Sequence, residues 1–377
     1  MTDLRIGVVG CGNISMTYMR NAALFAGVEL VACSDLDPAL SEARAREHGV
    51  RAMTVEALLA SDDVDLVLNL TVPNAHFAVS RAALEAGKHV FTEKPLAATA
   101  AEGRQLVEDA ERRGLAIGSA PDTFLGAAGR RARQLMDAGA IGTPVTGTAF
   151  MMGRGMEHWH PNPSFYYQPG GGPALDMGPY YVTMLVNLLG PVRRVLAMTS
   201  RGVGERLITA EGPLQGMSFA VGTPTTINAL LEFASGALVS TGMSWDVFRH
   251  SIPPIELHGT EGSLRLPDPD TFGGSIGLSA RGTDWHEHDT ASALYGALNW
   301  PFTAPDRANY RMLGVADLAR SLDETRAPRA SGRLALHVLE VLEAMLEAGA
   351  SGTARMIETQ VAQPVALGED EARSLRR

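Results

Sequence analysis

Residues 5–10 (RIGVVG) form a short apolar run that ends in glycine, and from 13 to 25 apolar residues recur at helical spacing. The pattern is strand, tight turn, helix. It leaves few folds open, because a strand this apolar is buried on both faces and the helix after it must return over the sheet. The alternation continues with strands at 28–34, 66–69, 89–92 and 116–119 and helices near 75–86 and 98–113, closed by Gly87 and Gly114. These residues predict a doubly wound α/β domain with a parallel sheet over residues 1–121.

Beyond that point the punctuation changes. A helix near 125–138 is followed by strands joined by short turns: 225–233 and 237–245 flank Ala234-Ser235-Gly236, and 254–258 and 263–266 flank Gly259-Thr260-Glu261-Gly262. Both are hairpin signals. Two helices follow near 310–322 and 333–348, and the last twenty or so residues are polar and expected to fray. Residues 122–377 therefore read as an α+β unit with an open, mostly antiparallel sheet. A chain of 377 residues suits this division, at roughly 150 residues per domain.

The charge sum, 32 basic against 42 acidic residues or −10, builds in no attraction to phosphate backbones or anionic lipid, so neither nucleic acid nor membrane is an expected partner. No apolar run approaches the roughly 20 residues of a membrane span, and residues 1–5 enter the first strand without an apolar leader. Two cysteines, Cys11 and Cys33, exclude a disulfide framework and suit a reducing compartment. A cytoplasmic protein is the expectation.

Gly10-Cys11-Gly12-Asn13-Ile14-Ser15 lies where a dinucleotide-binding turn needs its first two glycines. Gly10 permits the turn, and Gly12 lets the backbone approach a pyrophosphate at the helix N-terminus. Ser15 stands where a third glycine is usual, and is small enough for close packing. Asp35 ends the second strand 23 residues after Gly12, where a carboxylate accepts hydrogen bonds from both ribose hydroxyls. Its charge repels a 2′-phosphate and Leu36 offers no cation, so NAD is expected and NADP is disfavoured; Arg44 and Arg46 read as solvated helix residues.

Glu93-Lys94-Pro95 follows the strand 89–92, and ligands of open parallel sheets bind beyond the carboxyl ends of the strands. The stretch 71–95 (TVPNAHFAVSRAALEAGKHVFTEKP), with the N-terminal GCGNIS and the late Arg329-Ala330-Ser331-Gly332, resembles the Gfo/Idh/MocA family across nearly the full chain. The resemblance implies a Rossmann domain, a C-terminal domain whose open sheet mediates dimers or tetramers, and pyridine-nucleotide oxidoreduction of sugars or cyclitols. It makes Lys94 the expected catalytic lysine. Glu93, Thr71, Pro73 and His76 become expected neighbours of the nicotinamide half.

Gly170-Gly171-Gly172-Pro173 precedes a helix over 174–189 in which Asp176, Tyr180, Thr183 and Asn187 share one face. Lysine, arginine and glutamate are missing from this polar stripe, which suits a closed cleft better than a solvated face. The segment resembles the family motif GGGxxxDxGxH with Tyr180 in the histidine position. Tyr180 is then an expected proton-transfer residue, with a neighbouring Lys94 ammonium lowering its pKa; Asp176 orients the lysine or the substrate hydroxyl or relays the proton, and Asp176 or a loop histidine stays open as the proton-transfer group. Residues 158–167 (HWHPNPSFYY) are rich in aromatics, and Trp159, His160 and Tyr166, together with Thr183, are expected substrate contacts. Paired histidines 158/160 and 286/288 lack companion ligands, so no metal is expected.

The expectation is an NAD-dependent dehydrogenase for a secondary alcohol of a sugar, sugar derivative or cyclitol, forming a homodimer or homotetramer. Two rivals stand beside it: a redox-assisted glycosidase or lyase in which NAD is reduced only transiently, and a non-catalytic NAD-binding regulator.

Overall fold

The computed structural model describes residues 3–377. The first unit runs β1 (Leu4–Val9), α1 (Asn13–Ala22), β2 (Val28–Ser34), α2 (Pro38–His48), β3 (Arg51–Ala52), α3 (Val55–Ala60), β4 (Leu66–Asn69), α4 (Pro73–Glu85), β5 (His89–Thr92), α5 (Ala100–Arg113) and β6 (Ile117–Ser119). All six strands pair in parallel in the order β3-β2-β1-β4-β5-β6. The order reverses at β1, so the crevice beyond the carboxyl ends of β1 and β4 is where such a sheet takes its ligand. Leu66, Val67, Leu68, Val90 and Phe91 are wholly buried, as strands covered on both faces require.

The second unit contains α6 (Ala127–Asp137), β7 (Pro144–Met152), α7 (Pro173–Leu189), β8 (Val192–Ser200), β9 (Glu205–Leu207), β10 (Ser218–Ala220), β11 (Thr226–Phe233), β12 (Leu238–Ser244), β13 (Ile255–Gly259), β14 (Gly262–Leu266), β15 (Ser275–Ala280), β16 (His286–Asp289), α8 (Leu313–Asp323), α9 (Gly332–Ser351), β17 (Arg355–Met356) and α10 (Glu369–Ser374). Nine strands form one sheet in the order β16-β15-β14-β13-β7-β12-β11-β8-β17, antiparallel except where β12 runs parallel to β7. β9 and β10 form a separate ribbon. One face of the large sheet is covered by α7 and α9. The other is open, with Leu196, Met198, Leu230 and Leu238 exposed on it.

α9 also packs on α5 and β6, and Ser331 bridges to Gly118, so the late helices lie against both sheets. The C-terminal tail does not fray as expected. It ends in α10, with Ala372 and Leu375 buried, and the Arg377 guanidinium donates to Asp3 Oδ2 at 2.6 Å and to the Val28 carbonyl at 2.9 Å. Two apolar side chains and a salt bridge are what the polar composition of the tail concealed. Among the described residues no helix is long and apolar enough to cross a membrane.

Candidate active site

The turn after β1 is shaped for a ligand. Gly10 has φ +101°, and a Cβ there would lie 2.6 Å from the Leu70 carbonyl, so only glycine fits. At Gly12 a Cβ would meet nothing within 4 Å. That glycine is not required by the protein's own packing, which leaves room for something that approaches the backbone. No side chain caps α1 at Gly12, so the amides of its first turn face the crevice. Ser15 is buried and donates to the Gly12 carbonyl at 2.7 Å, which lets the helix sit close to the sheet.

Asp35 accepts from the amides of Cys11 at 2.7 Å and Asp37 at 2.9 Å. The carboxylate is thereby fixed at the end of β2 beside the turn, with lone pairs left for ribose hydroxyls. Arg44 departs from the expectation that it is solvated: its guanidinium donates to Ser15 Oγ at 3.2 Å and Glu47 at 3.0 Å, leaving its side chain 17% exposed. Glu47 neutralises it, so it does not offset Asp35. Arg46 lies outward, beside Glu42. Glycine turn, uncapped helix and oriented carboxylate together fit a dinucleotide with a free 2′-hydroxyl.

At the next crossover, buried Asn69 donates to the His76 carbonyl at 3.1 Å and to Ser80 Oγ at 3.0 Å, while Thr71 Oγ1 donates back to it at 2.7 Å. His76 is 1% exposed and its ring nitrogens face the carbonyls of Pro95 at 2.6 Å and Thr71 at 3.0 Å. Burial lowers its pKa. His76 therefore ties the loop after β4 to the loop after β5. Pro73 opens α4 at the exposed crevice edge, where its missing amide costs nothing.

Lys94, Asp176 and Tyr180 converge from the two units. Lys94 Nζ donates to Asp176 Oδ1 at 2.9 Å and to the Asp176 carbonyl at 2.7 Å, and lies 5.3 Å from the centre of the Tyr180 ring. An ammonium has three donors, so one remains for a substrate oxygen. Burial alone would lower the Lys94 pKa, but the carboxylates of Asp176 and Glu93 outweigh it and keep the amine charged. Glu93 is itself held, accepting from Tyr18 Oη at 2.7 Å and from the Lys94 amide at 2.9 Å. The Lys94–Pro95 peptide is cis.

Tyr180 is 6% exposed. Its pKa moves against the expectation: burial raises it above the ordinary phenol value, Asp270 adds to this, and Arg311 and Lys94 only partly oppose it. The neutral phenol is the resting form. Arg311 Nη2 donates to Tyr180 Oη at 3.0 Å.

The polar stripe on α7 divides into two. Asp176 and Tyr180 reach the site, but Asn187 accepts from Arg133 and Gln363, far from Lys94 along the helix. Thr183 is 2% exposed and lines a small cavity of about 10 Å³ together with Lys94, Ser331 and Leu342. Burial sets it back from solvent, on the Lys94 side of the helix. Helical periodicity gives the face, and cannot say how far along it the cleft extends.

Residues 156–168 rest on a fixed base. Tyr167 Oη accepts from the Met156 amide at 2.8 Å and donates to Glu157, which pairs with Arg206 at 2.7 Å. Above this base the His160 ring meets Trp159, Phe165 and Tyr166 edge-on at 5.4–5.5 Å. Tyr166 is near enough to feel the charges of Asp176 and Lys94, and burial raises its phenol. Trp159 is 56% exposed. His158 is tied to the Gly155 carbonyl at 2.5 Å. Among the described residues no group of three His, Cys, Asp or Glu side chains gathers to hold a metal.

Four further residues belong to this constellation: Tyr18, Asp122, Asp270 and Arg311. Asp122 is wholly buried, accepts from the Gly314 amide at 2.8 Å, and leaves Oδ1 without a partner, while burial pushes its pKa up to about 6. Starting the late helix at 310 hid Arg311 inside it. The helix actually begins at Leu313, and Arg311 lies in the segment before it.

The oxidoreductase-family profile for the NAD-binding Rossmann fold matches residues 4–120, and the GFO/IDH/MocA C-terminal domain profile matches 130–265. The chain is 27% identical over 362 residues to the 1,5-anhydro-D-fructose reductase of Ensifer adhaerens, covering 94% of this chain and 99% of that one. It is 33% identical over 269 residues to the dTDP-3,4-didehydro-2,6-dideoxy-alpha-D-glucose 3-reductase of Streptomyces violaceoruber, covering 70% and 72%. Levoglucosan dehydrogenase in complex with NADH shares the fold, with a TM-score of 0.81 at 20% identity over 96% of this chain and 100% of that one. With an NAD-binding turn, a charged lysine beyond β5 and both profiles in register with the two units, the chain belongs to the Gfo/Idh/MocA family of NAD-dependent oxidoreductases.

Proposed function

We propose that this protein oxidises a secondary alcohol of a sugar, sugar derivative or cyclitol, with Lys94, Asp176 and Tyr180 around the reacting oxygen. The observation that carries the reading is the Lys94 ammonium, fixed by two oxygens of Asp176 beside the Tyr180 ring, at the carboxyl end of β5. The names of the relatives, which specify anhydro sugars and a deoxy sugar nucleotide, support the substrate class.

Gly10, Gly12 and the first amides of α1 at Asn13 and Ile14 would hold the pyrophosphate, and Asp35 the adenosine ribose. The nicotinamide of a bound NAD would supply the acceptor for the hydride, two electrons and one hydrogen, that leaves the carbinol carbon. Lys94 directs its remaining N–H at the substrate oxygen and stabilises negative charge as it develops there. Asp176 holds the ammonium in place. The hydroxyl proton leaves through Tyr180 Oη; because burial favours the phenol, oxidation speeds up as pH rises and the reverse reduction finds its proton already in place. Trp159, His160 and Tyr166 offer ring faces and hydrogen-bond donors to a pyranose. The open face of the nine-stranded sheet is proposed to pair copies of the chain into a dimer or tetramer, and the two buried thiols support a reducing, cytoplasmic setting.

The test is to incubate the protein with NAD and a panel of aldoses, anhydro sugars, inositols and sugar acids, following nicotinamide absorbance and sugar products together. Growth of NADH with a matching keto product is the expected result. Altered sugar without NADH would replace this reading with a transient-redox one, and NAD binding with neither change would leave a regulator.

A further inference from the structure

Among the described residues Tyr180 Oη has one hydrogen-bond partner, Nη2 of Arg311. Arg311 is 8% exposed, and its guanidinium is held on several sides. Nη2 also donates to Asp270 Oδ1 at 2.8 Å, and Nη1 to Asn309 Oδ1 at 3.0 Å. The backbone is anchored too: Asn21 Nδ2, from α1, donates to the carbonyls of both Asn309 and Arg311 at 2.9 Å, and Asn299 Oδ1 accepts from the Asn309 amide at 2.6 Å. The cation is in position before any substrate arrives.

An N–H from Arg311 takes up one acceptor site of the phenol oxygen. The hydroxyl proton of Tyr180 therefore has no protein acceptor and is left for the substrate. We propose that Arg311, held by Asp270 and Asn309, is a positioning residue that orients the Tyr180 hydroxyl toward the reacting oxygen and sets how readily it gives up its proton. The inference rests on the reading of this site as a sugar dehydrogenase. It supplies what tyrosine at the family's histidine position lacks: an imidazole loses its proton near neutrality unaided, whereas a buried phenol needs a fixed cation.

The charged groups facing Tyr180 come from the elements around it: Glu93 and Lys94 after β5, Asp270 between β14 and β15, and Arg311 before α8, while Asp176 on its own helix holds Lys94. Arg311 and Asp270 act on the phenol with opposite sign. Arg311 favours phenolate, and Asp270 opposes it while it holds the arginine. Removing the one or the other must shift the Tyr180 titration in opposite directions, which a purely structural pair would not do.

The experiment measures oxidative turnover against pH, with levoglucosan and myo-inositol as probes, for wild type, Arg311→Met, Arg311→Lys, Asp270→Asn, Tyr180→Phe and the Arg311→Met/Tyr180→Phe double variant. Calorimetric NAD titration checks that each is folded. Arg311→Met is expected to lower kcat by about 10²-fold and to move the ascending limb to higher pH. Asp270→Asn should move it to lower pH, Arg311→Lys should recover part of the loss, and Arg311→Met should add nothing in the Tyr180→Phe background. Limbs that stay in place in both single variants, or losses that multiply in the double variant, would overturn the role of Arg311. If wild type turns over neither probe while binding NAD, the reading of the site falls and the inference with it.

Discussion

A buried ammonium is costly unless opposite charge meets it, and Lys94 meets two oxygens of Asp176. Lys94→Ala should therefore lower turnover by about 10²- to 10⁴-fold while calorimetry shows NAD still binding, since the Gly10–Gly12 turn and Asp35 are untouched. The same reasoning applies to Asp122, with a different readout. Its pKa is raised by burial to about 6, so the stability it contributes is fully present below the unfolded value and is lost as pH rises through the folded one. Asp122→Asn keeps an acceptor for the Gly314 amide but cannot ionise. Relative to wild type it should gain stability between about pH 4 and 6, reaching about 3 kcal/mol, measured by urea unfolding across that range. No relative gain would mean that the carboxylate is better compensated than its unpartnered Oδ1 implies. Of these residues, Lys94 was legible from its place after an apolar strand and from the family resemblance. Asp122 and Arg311 were not, because nothing local to a buried charge reports the distant groups that surround it.

At the level of elements, the two glycines of the first turn make opposite predictions. Gly10→Ala places a Cβ against the Leu70 carbonyl at positive φ, and should cost about 2–4 kcal/mol. Gly12→Ala meets no protein atom and should leave the melting temperature nearly unchanged while weakening NAD binding. Thr99→Ala, which removes the N-cap of α5 away from the site, should cost about 1 kcal/mol and leave kinetics intact. Elements with strong periodicity and glycine stops, such as β1, α4 and α7, could be read in advance. β7 and β8 were not singled out in sequence; the outer face of β8 lies on the open sheet and carries exposed Leu196 and Met198 in place of clean polar alternation. Nor did the stripe on α7 reveal where it leaves the site, because Asn187 is met by Arg133 of α6 and Gln363 of the tail, both distant in sequence.

The whole molecule places its chemistry between two sheets, with α1, the segment before α8 and the N-terminal half of α7 meeting around Lys94. Its open sheet face predicts association: Met198→Asp, at a residue 79% exposed on that face, should shift the mass measured by light scattering toward monomer without altering the fold by circular dichroism. An unchanged mass would move the interface elsewhere. The division into two units could be read because alternation stops near residue 121. The return of the C-terminal tail to the first unit could not, since it depends on contacts more than 300 residues apart in sequence. The central claim is that hydrogen passes from a sugar carbon directly to NAD under control of Lys94. Single-turnover mass spectrometry with a substrate deuterated at the carbinol carbon tests it most directly. The account predicts deuterium on the reduced nicotinamide with wild type and almost none with Lys94→Ala; deuterium appearing in solvent, or equal transfer by the variant, would contradict it.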